Sequence, residues 1–318
     1  MRLFPITLLT IIVAFHALSS KTAWTSPLTV KSCNRQVTFD RIPQRAVSND
    51  VNLTEMMLVL GLQSHMAGYT GISGWKTQDN ELRKSLRGLT DLSPKYPSKE
   101  VLVGANIDFF FAGWNYGMKV GGPVTPETLA PFGIKVYELT ESCIHIMKKN
   151  RSSINDMYTD LLNLGKIFGV ESRARKIINA YKTELSALKK TLPATSHPPR
   201  IFVYDSGEDQ PLTACRYAIP TALIEEAGGH NIMADVDNSW TKVNWETVVE
   251  RNPEIIIIIN YGKVTAEQKR LFLMNRPAFA QINAIQNNRF VVLEYVEVTP
   301  GPRNIIAIKK LARAFWSK

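Results

Sequence analysis

Residues 253–260 read PEIIIIIN, and this stretch decides the fold class. Successive side chains of a strand point to opposite faces of a sheet, so five consecutive isoleucines make both faces apolar. A strand buried on both faces belongs in the middle of a parallel sheet that helices cover on each side. The neighbouring sequence agrees, since helical patterns precede and follow the strand, at WETVVERN (245–252) and TAEQKRLFLMN (265–275).

Strand and helix patterns alternate through both halves of the chain. The first half predicts strands at RAVS (45–48), HMAGY (65–69), IDFFFAG (107–113) and IKVYEL (134–139). The second half adds RIFVYD (200–205) and RFVVLEY (289–295) to PEIIIIIN. This alternation predicts an α/β protein with two Rossmann-like lobes, each built on a parallel central sheet.

A long helical segment separates the two halves. After a break between Gly165 and Gly169, residues 171–192 are nearly all helix formers, and a helix of that length spans about 30 Å, the width of a lobe. The stretch TLPATSHPPR (191–200), with three prolines, ends it. We therefore expect an N-terminal lobe at 24–152, a helical connection at 153–199 with one rigid inter-lobe helix, and a C-terminal lobe at 200–318.

The first 23 residues are typical of a cleaved secretory signal. One positive charge at Arg2 precedes an apolar run that is too short for a comfortable membrane span. Export to the periplasm places the three cysteines in an oxidising compartment, which favours one disulfide and one remaining thiol. Cys33 and Cys143 flank one predicted lobe and are the expected pair, with Cys215 left over. The sequence alone leaves this pairing open.

Charge and motif content argue against several classes of function. The formal net charge of +10 suits an anionic ligand or a solvated surface, while export excludes nucleic acid as a partner. The chain has no G-x-S-x-G, no phosphate-binding Gly-Lys-Ser/Thr loop and no G-x-G-x-x-G between a strand and a helix. Its histidines lack metal-ligand spacing. We therefore expect neither an enzyme nor a resident cofactor or metal.

Aromatic and cationic residues gather where the predicted strands end, which is where open α/β sheets bind ligands. A single such residue usually packs against its own loop, but a set at the same edge of both lobes favours a ligand cleft. Asn49, Asp50 and the stretch 205–209 also follow predicted strands. The candidate ligand-binding residues are Tyr69, Trp75, Trp114, Asn115, Tyr116, Arg216, Tyr217, Trp240, Lys242, Tyr261 and Arg303.

Four motifs resemble the periplasmic binding proteins of ABC importers for ferric siderophores, haem and cobalamin. They are CNRQVTFDRIPQRAVS (33–48), TPETLAPFGIKVYELTESC (125–143), WTKVNWETVVERNPEIIIII (240–259) and TPGPRNIIAIKKLA (299–312). The resemblance implies a monomer that holds a ligand between its lobes and delivers it to an inner-membrane permease dimer with its ATPase. It also implies that Glu100 and Glu246, one on top of each lobe, form salt bridges with arginines of the permease.

The resemblance leaves the ligand open among three classes. Trp114, Trp240 and Arg303 align with cobalamin contacts, and Tyr69, Tyr116 or Tyr217 would suit the axial ligand of a haem. The segments GYTGISGW (68–75), FFFAGWNYGM (109–118) and YDSGEDQPLTACRYAIP (204–220) are similar to members linked to iron and siderophore uptake. A fully chelated iron-siderophore needs aromatic contact and positive charge, which Arg216, Lys242 and Arg303 supply, so it is the preferred ligand.

Two other classes of function fit the sequence less well. Chelatases and nitrogenase-like subunits share a two-lobed fold, but they would need catalytic histidines or cluster cysteines. A structural or adhesion protein would not need the aromatic cleft that the strand ends predict.

Overall fold

The computed structural model describes residues 23–74 and 79–316. The predicted leader, up to residue 22, and Trp75 lie outside the described residues. Over the described ranges, no helix has both the length and the apolar character needed to cross a membrane.

The N-terminal lobe begins with an antiparallel hairpin of β1 (Ala23–Ser32) and β2 (Arg35–Arg41). The elements that follow are β3 (Ala46–Asn49), α1 (Val51–Val59), β4 (Met66–Thr70), α2 (Asn80–Ser85), β5 (Thr90–Ser93), α3 (Lys99–Gly104), β6 (Phe109–Trp114), β7 (Gly117–Met118), α4 (Pro126–Leu129) and β8 (Lys135–Glu138). The parallel sheet has the order β5-β4-β3-β6-β8, and β7 pairs with the carboxyl end of β6.

Strand β6 lies inside this sheet, between β3 and β8, and all six of its residues are buried. Phe109 and Phe111 pack into one hydrophobic cluster, while Phe110, Ala112 and Trp114 pack into another on the opposite face. Burying each phenylalanine contributes about 1.5–3 kcal/mol. This two-sided burial confirms the parallel sheet that the phenylalanine run predicts.

A disulfide attaches the N-terminal hairpin to the lobe. Cys33, in the turn between β1 and β2, is bonded to Cys143, which follows β8. Arg35 and Ser32 add hydrogen bonds to the buried Glu138 carboxylate, from Arg35 Nη2 at 2.6 Å and from Ser32 Oγ at 2.8 Å. The joined residues are the pair expected from the sequence, and Cys215 is a buried free thiol.

Two helices carry the chain to the second lobe, α5 (Ile154–Ile167) and α6 (Glu171–Lys189). Near its start, α6 contacts the N-terminal lobe, where Arg173 Nη1 donates to the Leu60 carbonyl at 2.6 Å. At its end, Lys189 forms an ion pair of 2.9 Å with Glu226 of the second lobe. One helix thus contacts both lobes, as the segment at 171–192 predicts.

The C-terminal lobe repeats the parallel arrangement in the order β11-β9-β13-β14. Its elements are β9 (Arg200–Tyr204), β10 (Leu212–Ala214), α7 (Ile219–Glu226), β11 (His230–Asn231), β12 (Trp240–Lys242), α8 (Trp245–Arg251), β13 (Ile255–Asn260), α9 (Ala266–Met274), α10 (Asn283–Gln286), β14 (Phe290–Glu294) and α11 (Asn304–Trp316). The five isoleucines of β13 alternate between two core clusters, which confirms the central buried strand.

Helix α4 is short, because Pro131 lacks the N–H for a regular helical bond and Ala130–Phe132 form a 3-10 turn. Two features differ from the sequence predictions. The hairpin β1–β2 and the antiparallel ribbon of β10 and β12 were not predicted. The ribbon matters for function, because it places Trp240 at the carboxyl edge of the C-terminal sheet.

Candidate functional site

A cleft of about 220 Å³ lies between the two lobes. Every residue that lines it comes from a segment at the carboxyl end of a parallel strand or from the ribbon beside β9. The lining residues are Asn115, Tyr116, His145, Asp205, Leu212, Ser239, Trp240, Tyr261, Tyr295, Val298 and Thr299. The cleft therefore occupies the ligand-binding edge expected for an open α/β sheet.

A tight turn after β6 forms the N-terminal wall. Asn115, at the tip, adopts a left-handed conformation (φ +66°), and Gly117 has φ +99°. A Cβ at position 117 would lie 2.5 Å from Cγ of Asn49, so only glycine lets the turn lie this close to the end of β3. The turn thereby holds Tyr116 in the cleft wall with 8% of its surface exposed.

Two tyrosines and a tryptophan form the opposite wall. The rings of Tyr261 and Tyr295 are 5.7 Å apart between centroids, and Trp240 lines the same wall half-buried on β12. Tyr261 donates a hydrogen bond of 2.6 Å to Oδ2 of Asp205. Rigid aromatic side chains held in this way offer contact area to a ligand at little entropic cost.

A buried lysine supports this wall from behind. Lys269 Nζ donates to the backbone carbonyls of Asp205 (2.5 Å) and Ile259 (2.6 Å), and lies 4.7 Å from the centre of the Tyr261 ring. Burial lowers the pKa of Lys269, and the charge of Asp205 raises it in part. The ammonium group therefore bridges the carboxyl ends of β9 and β13 beneath the cleft through these two hydrogen bonds.

A hydrogen bond joins the two lobes at the base of the cleft. Tyr295 of the C-terminal lobe donates to Oδ2 of Asp50 at 3.0 Å, and Asp50 Oδ1 accepts from the N–H of Val51 at 2.7 Å. Asp50 has φ +71°, a strained conformation that aims its carboxylate from the start of α1. Burial and then the charge of Asp50 raise the pKa of Tyr295, which keeps the phenol protonated.

The cleft wall carries little charge. Asp205 is the one carboxylate among the lining residues of the described chain, and these residues include neither Arg nor Lys. Burial lowers the pKa of His145, so its imidazole is neutral at pH 7. The Nε2 atom of His145 lies 3.2 Å from Nδ2 of Asn115. The site thus suits a ligand that presents a neutral or weakly cationic surface.

The three cationic residues expected in the cleft all lie elsewhere. Arg216 forms an ion pair with Asp237 and donates to the carbonyl of Ala234 at 3.1 Å. Lys242 is exposed at the end of β12 and does not line the cleft. Local carboxylates and carbonyls satisfy Arg216, so the expectation of a cation-bearing wall is not met.

Arg303 connects the lobes instead of facing the ligand cleft. Its Nε donates to Oε1 of Glu55 at 2.8 Å, and its Nη1 pairs with Asp79, so two carboxylates of the N-terminal lobe hold it. It lines a separate groove with Tyr181. The side chain is turned toward α1 and α2 because Glu55 is nearly buried and needs a partner.

Three predicted aromatic residues also lie outside the cleft lining. Trp114 is 5% exposed and donates from Nε1 to Glu138 at 3.0 Å inside the N-terminal core. Tyr69 packs in a small cluster with Val51. Tyr217 donates to Asp237 at 3.1 Å. Of the eleven predicted ligand-binding residues, the structure brings together Asn115, Tyr116, Trp240 and Tyr261.

The sequence prediction missed two prominent lining residues. Tyr295 ends the predicted strand RFVVLEY, so its position carried the same signal that singled out Tyr261. The spacing of His145 gives no sign of a metal site, and the sequence prediction did not place this residue in the cleft. It nevertheless follows β8 and lies in the cleft wall. Over the described residues, no group of three or more His, Cys, Asp or Glu side chains is placed to hold a metal ion.

The two predicted docking glutamates lie at matching places in the two lobes. Glu100 is in the first turn of α3, which precedes β6, and Glu246 is in the first turn of α8, which precedes β13. Both are exposed. Hydrogen bonds, mainly from its own backbone N–H and from Ser98, lower the pKa of Glu100 and favour its charged form. Both carboxylates therefore face solvent on the cleft side of the sheets.

Comparisons with known proteins agree with this architecture. The family model described as "Periplasmic binding protein" matches residues 129–295. An uncharacterized ABC transporter substrate-binding lipoprotein, YvrC, of Bacillus subtilis is 21% identical over 91% of this chain and 86% of its own length. A cobalamin-binding protein of Halobacterium salinarum is 23% identical over 89% of this chain and 72% of its own.

A solved structure shows the same fold over nearly the whole chain. The protein from an ABC-type Fe³⁺-hydroxamate transport system of Saccharomonospora viridis superposes with a TM-score of 0.77 at 21% identity. The match covers 92% of this chain and 99% of that one. Both lobes and their connection are therefore shared.

Proposed function

Because the chain belongs to the periplasmic binding protein family, we propose that it is the ligand-binding component of an ABC importer for a ferric siderophore. In this proposal residues 24–152 and 200–318 form the two lobes, residues 153–199 connect them, and capture is non-covalent. The leader at residues 1–23 directs the protein to the periplasm. Its partners are an inner-membrane permease dimer and the ATPase.

One observation carries the choice of ligand: the cleft is aromatic and bears almost no charge. Tyr116, Trp240, Tyr261 and Tyr295 provide the contact surface, and Asp205 is held by a phenol hydroxyl. A ferric trihydroxamate is electrically neutral, whereas a ferric tricatecholate is strongly anionic. An anion would lose its hydration beside Asp205 without gaining a cationic partner, so a trihydroxamate suits the cleft better.

A corrinoid is the second candidate, and Trp240 supports it. Trp114, Trp240 and Arg303 align with cobalamin contacts. Of these three residues, Trp240 alone lines the cleft. A flat aromatic face there would suit a corrin ring, and the halobacterial relative is described as a cobalamin-binding protein. Haem is a weaker candidate because the neutral imidazole of His145 already lies beside the Asn115 amide.

Quenching of tryptophan fluorescence tests the ligand class. The purified protein is titrated with a ferric trihydroxamate, a ferric tricatecholate, cyanocobalamin and haemin. We expect the trihydroxamate to bind most tightly. Tightest binding of the tricatecholate would refute the argument from charge, tightest binding of cyanocobalamin would favour the second candidate, and absence of binding by all four would refute the proposal.

Two tyrosines of the C-terminal lobe provide a matched pair of variants. Tyr261 and Tyr217 are both half-buried, and each donates its hydroxyl to an aspartate, but only Tyr261 lines the cleft. We expect Tyr261→Ala to weaken binding about ten-fold, the effect of losing one aromatic contact, and Tyr217→Ala to leave it unchanged. Equal losses in both variants would place the ligand elsewhere.

We further propose that Glu100 and Glu246 dock on the permease. Each is exposed in the first turn of a helix at the carboxyl edge of its sheet, so one carboxylate stands beside the cleft on each lobe. An ordinary helix N-terminus also favours glutamate, but the equivalent placement in both lobes supports a two-point contact with cationic pockets.

A further inference from the structure

A second cavity opens beside the cleft on the N-terminal lobe. We call it the rim pocket; it has a volume of about 410 Å³. It is lined by Tyr96, Pro97, Asn115, Gly117, Met118, Lys119, Pro123 and Val124. Asn115 lines both the cleft and the rim pocket, so the two spaces are adjacent at this residue.

The cleft and the rim pocket together have the volume of a typical small-molecule site. Sites for small molecules usually measure about 300–1,000 Å³, and the cleft, at about 220 Å³, is smaller than that range. A cleft of this volume would enclose only part of a drug-sized ligand. The rim pocket adds enough space to bring the combined site within the usual range, so a ligand that extends past Asn115 fills both cavities.

The rim pocket is preformed by hydrogen bonds within one lobe. Tyr96 donates its hydroxyl to the carbonyl of Asn115 at 2.8 Å, and the Asn115 N–H donates to the Met118 carbonyl at 2.8 Å. All the lining residues belong to the segments 96–97 and 115–124. The pocket therefore keeps its shape without a contribution from the C-terminal lobe.

Its lining has a definite chemical character. Met118 and Val124 are buried in the floor, Pro123 is exposed at one side, and the ring of Tyr96 is 37% exposed. Lys119 is an exposed cation among them. Such a lining differs from that of the aromatic, nearly uncharged cleft, because it combines aliphatic contact with one positive charge.

We infer that the rim pocket binds an arm of the ligand, an apolar chain that ends in an anionic group. This inference rests on the proposed function, since the chelate lies in the cleft while its arm passes Asn115. The apolar part of the arm contacts Met118, Pro123 and Val124, and its terminal carboxylate pairs with Lys119. The pocket thereby selects among chelates that share the same metal-binding core.

Four probes test the inference. They share one linear ferric trihydroxamate with a terminal amine, which is left free, capped with an acetyl group, acylated with a pentanoyl group, or acylated with a glutaryl group of the same length that ends in a carboxylate. We expect the pentanoyl arm to bind about ten-fold more tightly than a short acetyl cap, as two buried methylene groups would produce. The glutaryl arm should gain about three-fold more from its ion pair.

Matched variants separate the rim pocket from the cleft. Lys119→Gln should abolish the advantage of glutaryl over pentanoyl, and the control Lys135→Gln, at the opposite end of the sheet, should keep it. Pro123→Trp should fill the pocket and abolish the gain from both arms. Val120→Trp is its control, since Val120 is 60% exposed and does not line the pocket. All four positions are exposed, which favours folding of each variant.

Each outcome decides between defined alternatives. Loss of the glutaryl advantage over pentanoyl in Lys119→Gln, and loss of the gain from both arms in Pro123→Trp, with unchanged binding of the acetyl-capped chelate, support the inference. Binding of the capped chelate with no gain from either arm refutes the inference and leaves the proposed function standing. Loss of vesicle uptake in Lys119→Gln with unaltered affinities would instead assign the rim pocket to the permease. Failure of every chelate to bind would overturn both proposals.

Discussion

Replacing Arg303 with methionine tests whether this residue joins the lobes or binds the ligand. The side chain makes hydrogen bonds of 2.5 to 3.0 Å to the Glu55 carboxylate and pairs with Asp79. Methionine keeps an unbranched apolar stem of similar length, so packing along the stem is largely retained. The variant therefore removes mainly the charge and its hydrogen bonds.

Burial sets the expected loss of stability. The side chains of Arg303 and Glu55 are 24% and 12% exposed, which places the pair between a surface ion pair, worth about 0–1 kcal/mol, and a fully buried one, whose disruption costs about 3–5 kcal/mol. We expect Arg303→Met to lower the free energy of unfolding by about 2–3 kcal/mol. Ligand affinity should stay nearly constant, because Arg303 does not line the cleft.

The loss should depend on pH with a definite sign. Burial raises the pKa of Glu55, and Arg303 partly opposes this shift. Without Arg303 the pKa in the folded protein rises further above the unfolded value, so ionisation of Glu55 weighs against folding as the pH rises through that folded pKa. The destabilisation by Arg303→Met should therefore be larger at pH 7 than at pH 5.

Urea denaturation followed by circular dichroism measures these effects in a double-mutant cycle. The cycle uses Arg303→Met, Glu55→Gln and the double variant, at both pH values. We expect a coupling energy of about 1–2 kcal/mol, since removing both partners leaves no unpaired buried charge. Additive effects of the two changes, or a ten-fold loss of trihydroxamate affinity in Arg303→Met with normal stability, would show that the reasoning is wrong.

Three further results are expected. Reversing both Glu100 and Glu246 to lysine should abolish uptake into permease vesicles and leave affinity intact in fluorescence titrations; a loss of affinity would contradict docking. Replacing Cys33 and Cys143 with serine should lower the free energy of unfolding in urea by about 2–5 kcal/mol, because the disulfide closes a loop between residues 110 apart; an unchanged midpoint would contradict this. Burial raises the pKa of Glu141 to about 8, so its ionisation disfavours folding as the pH rises from 5 to 8. Glu141→Gln should therefore melt at a higher temperature than the parent by a margin that grows over that interval, and a shrinking margin would refute this.

The sheets could be predicted from sequence because their signal is local. Five isoleucines at 255–259 have no low-energy place except a strand buried on both faces. The alternation of side chains along a strand also predicts that Trp114 is buried and does not face the cleft. Residues two apart share a face of a strand, so Trp114 had to follow Phe110 and Ala112 into the core. Tyr116, beyond the end of the strand, was free to turn toward the cleft.

The partners of the arginines could not be predicted, because they depend on contacts between distant parts of the chain. Arg303 and Glu55 are separated by 248 residues in sequence yet lie within hydrogen-bond distance. In the sequence, an arginine near a strand end gives the same pattern whether its side chain faces a ligand or a buried carboxylate. Sequence patterns therefore could not predict the nearly neutral cleft, although they did predict four of the residues that line it.

The positive charge of the chain and the neutral wall of the cleft have different consequences for binding. The formal net charge of +10 falls to +8 without Arg2 and Lys21 of the proposed leader. This positive charge acts over distances comparable to a Debye length and speeds the approach of anionic molecules. The cleft acts only at contact, where the proposed function has Asp205 and the phenols disfavour an anionic core. A ligand that is attracted by the positive charge of the chain and also fits the nearly neutral cleft has its negative charge at the periphery, away from its metal-binding centre. Lys119, exposed in the rim pocket, lies where that peripheral charge would be held once the centre rests against Tyr116 and Tyr261.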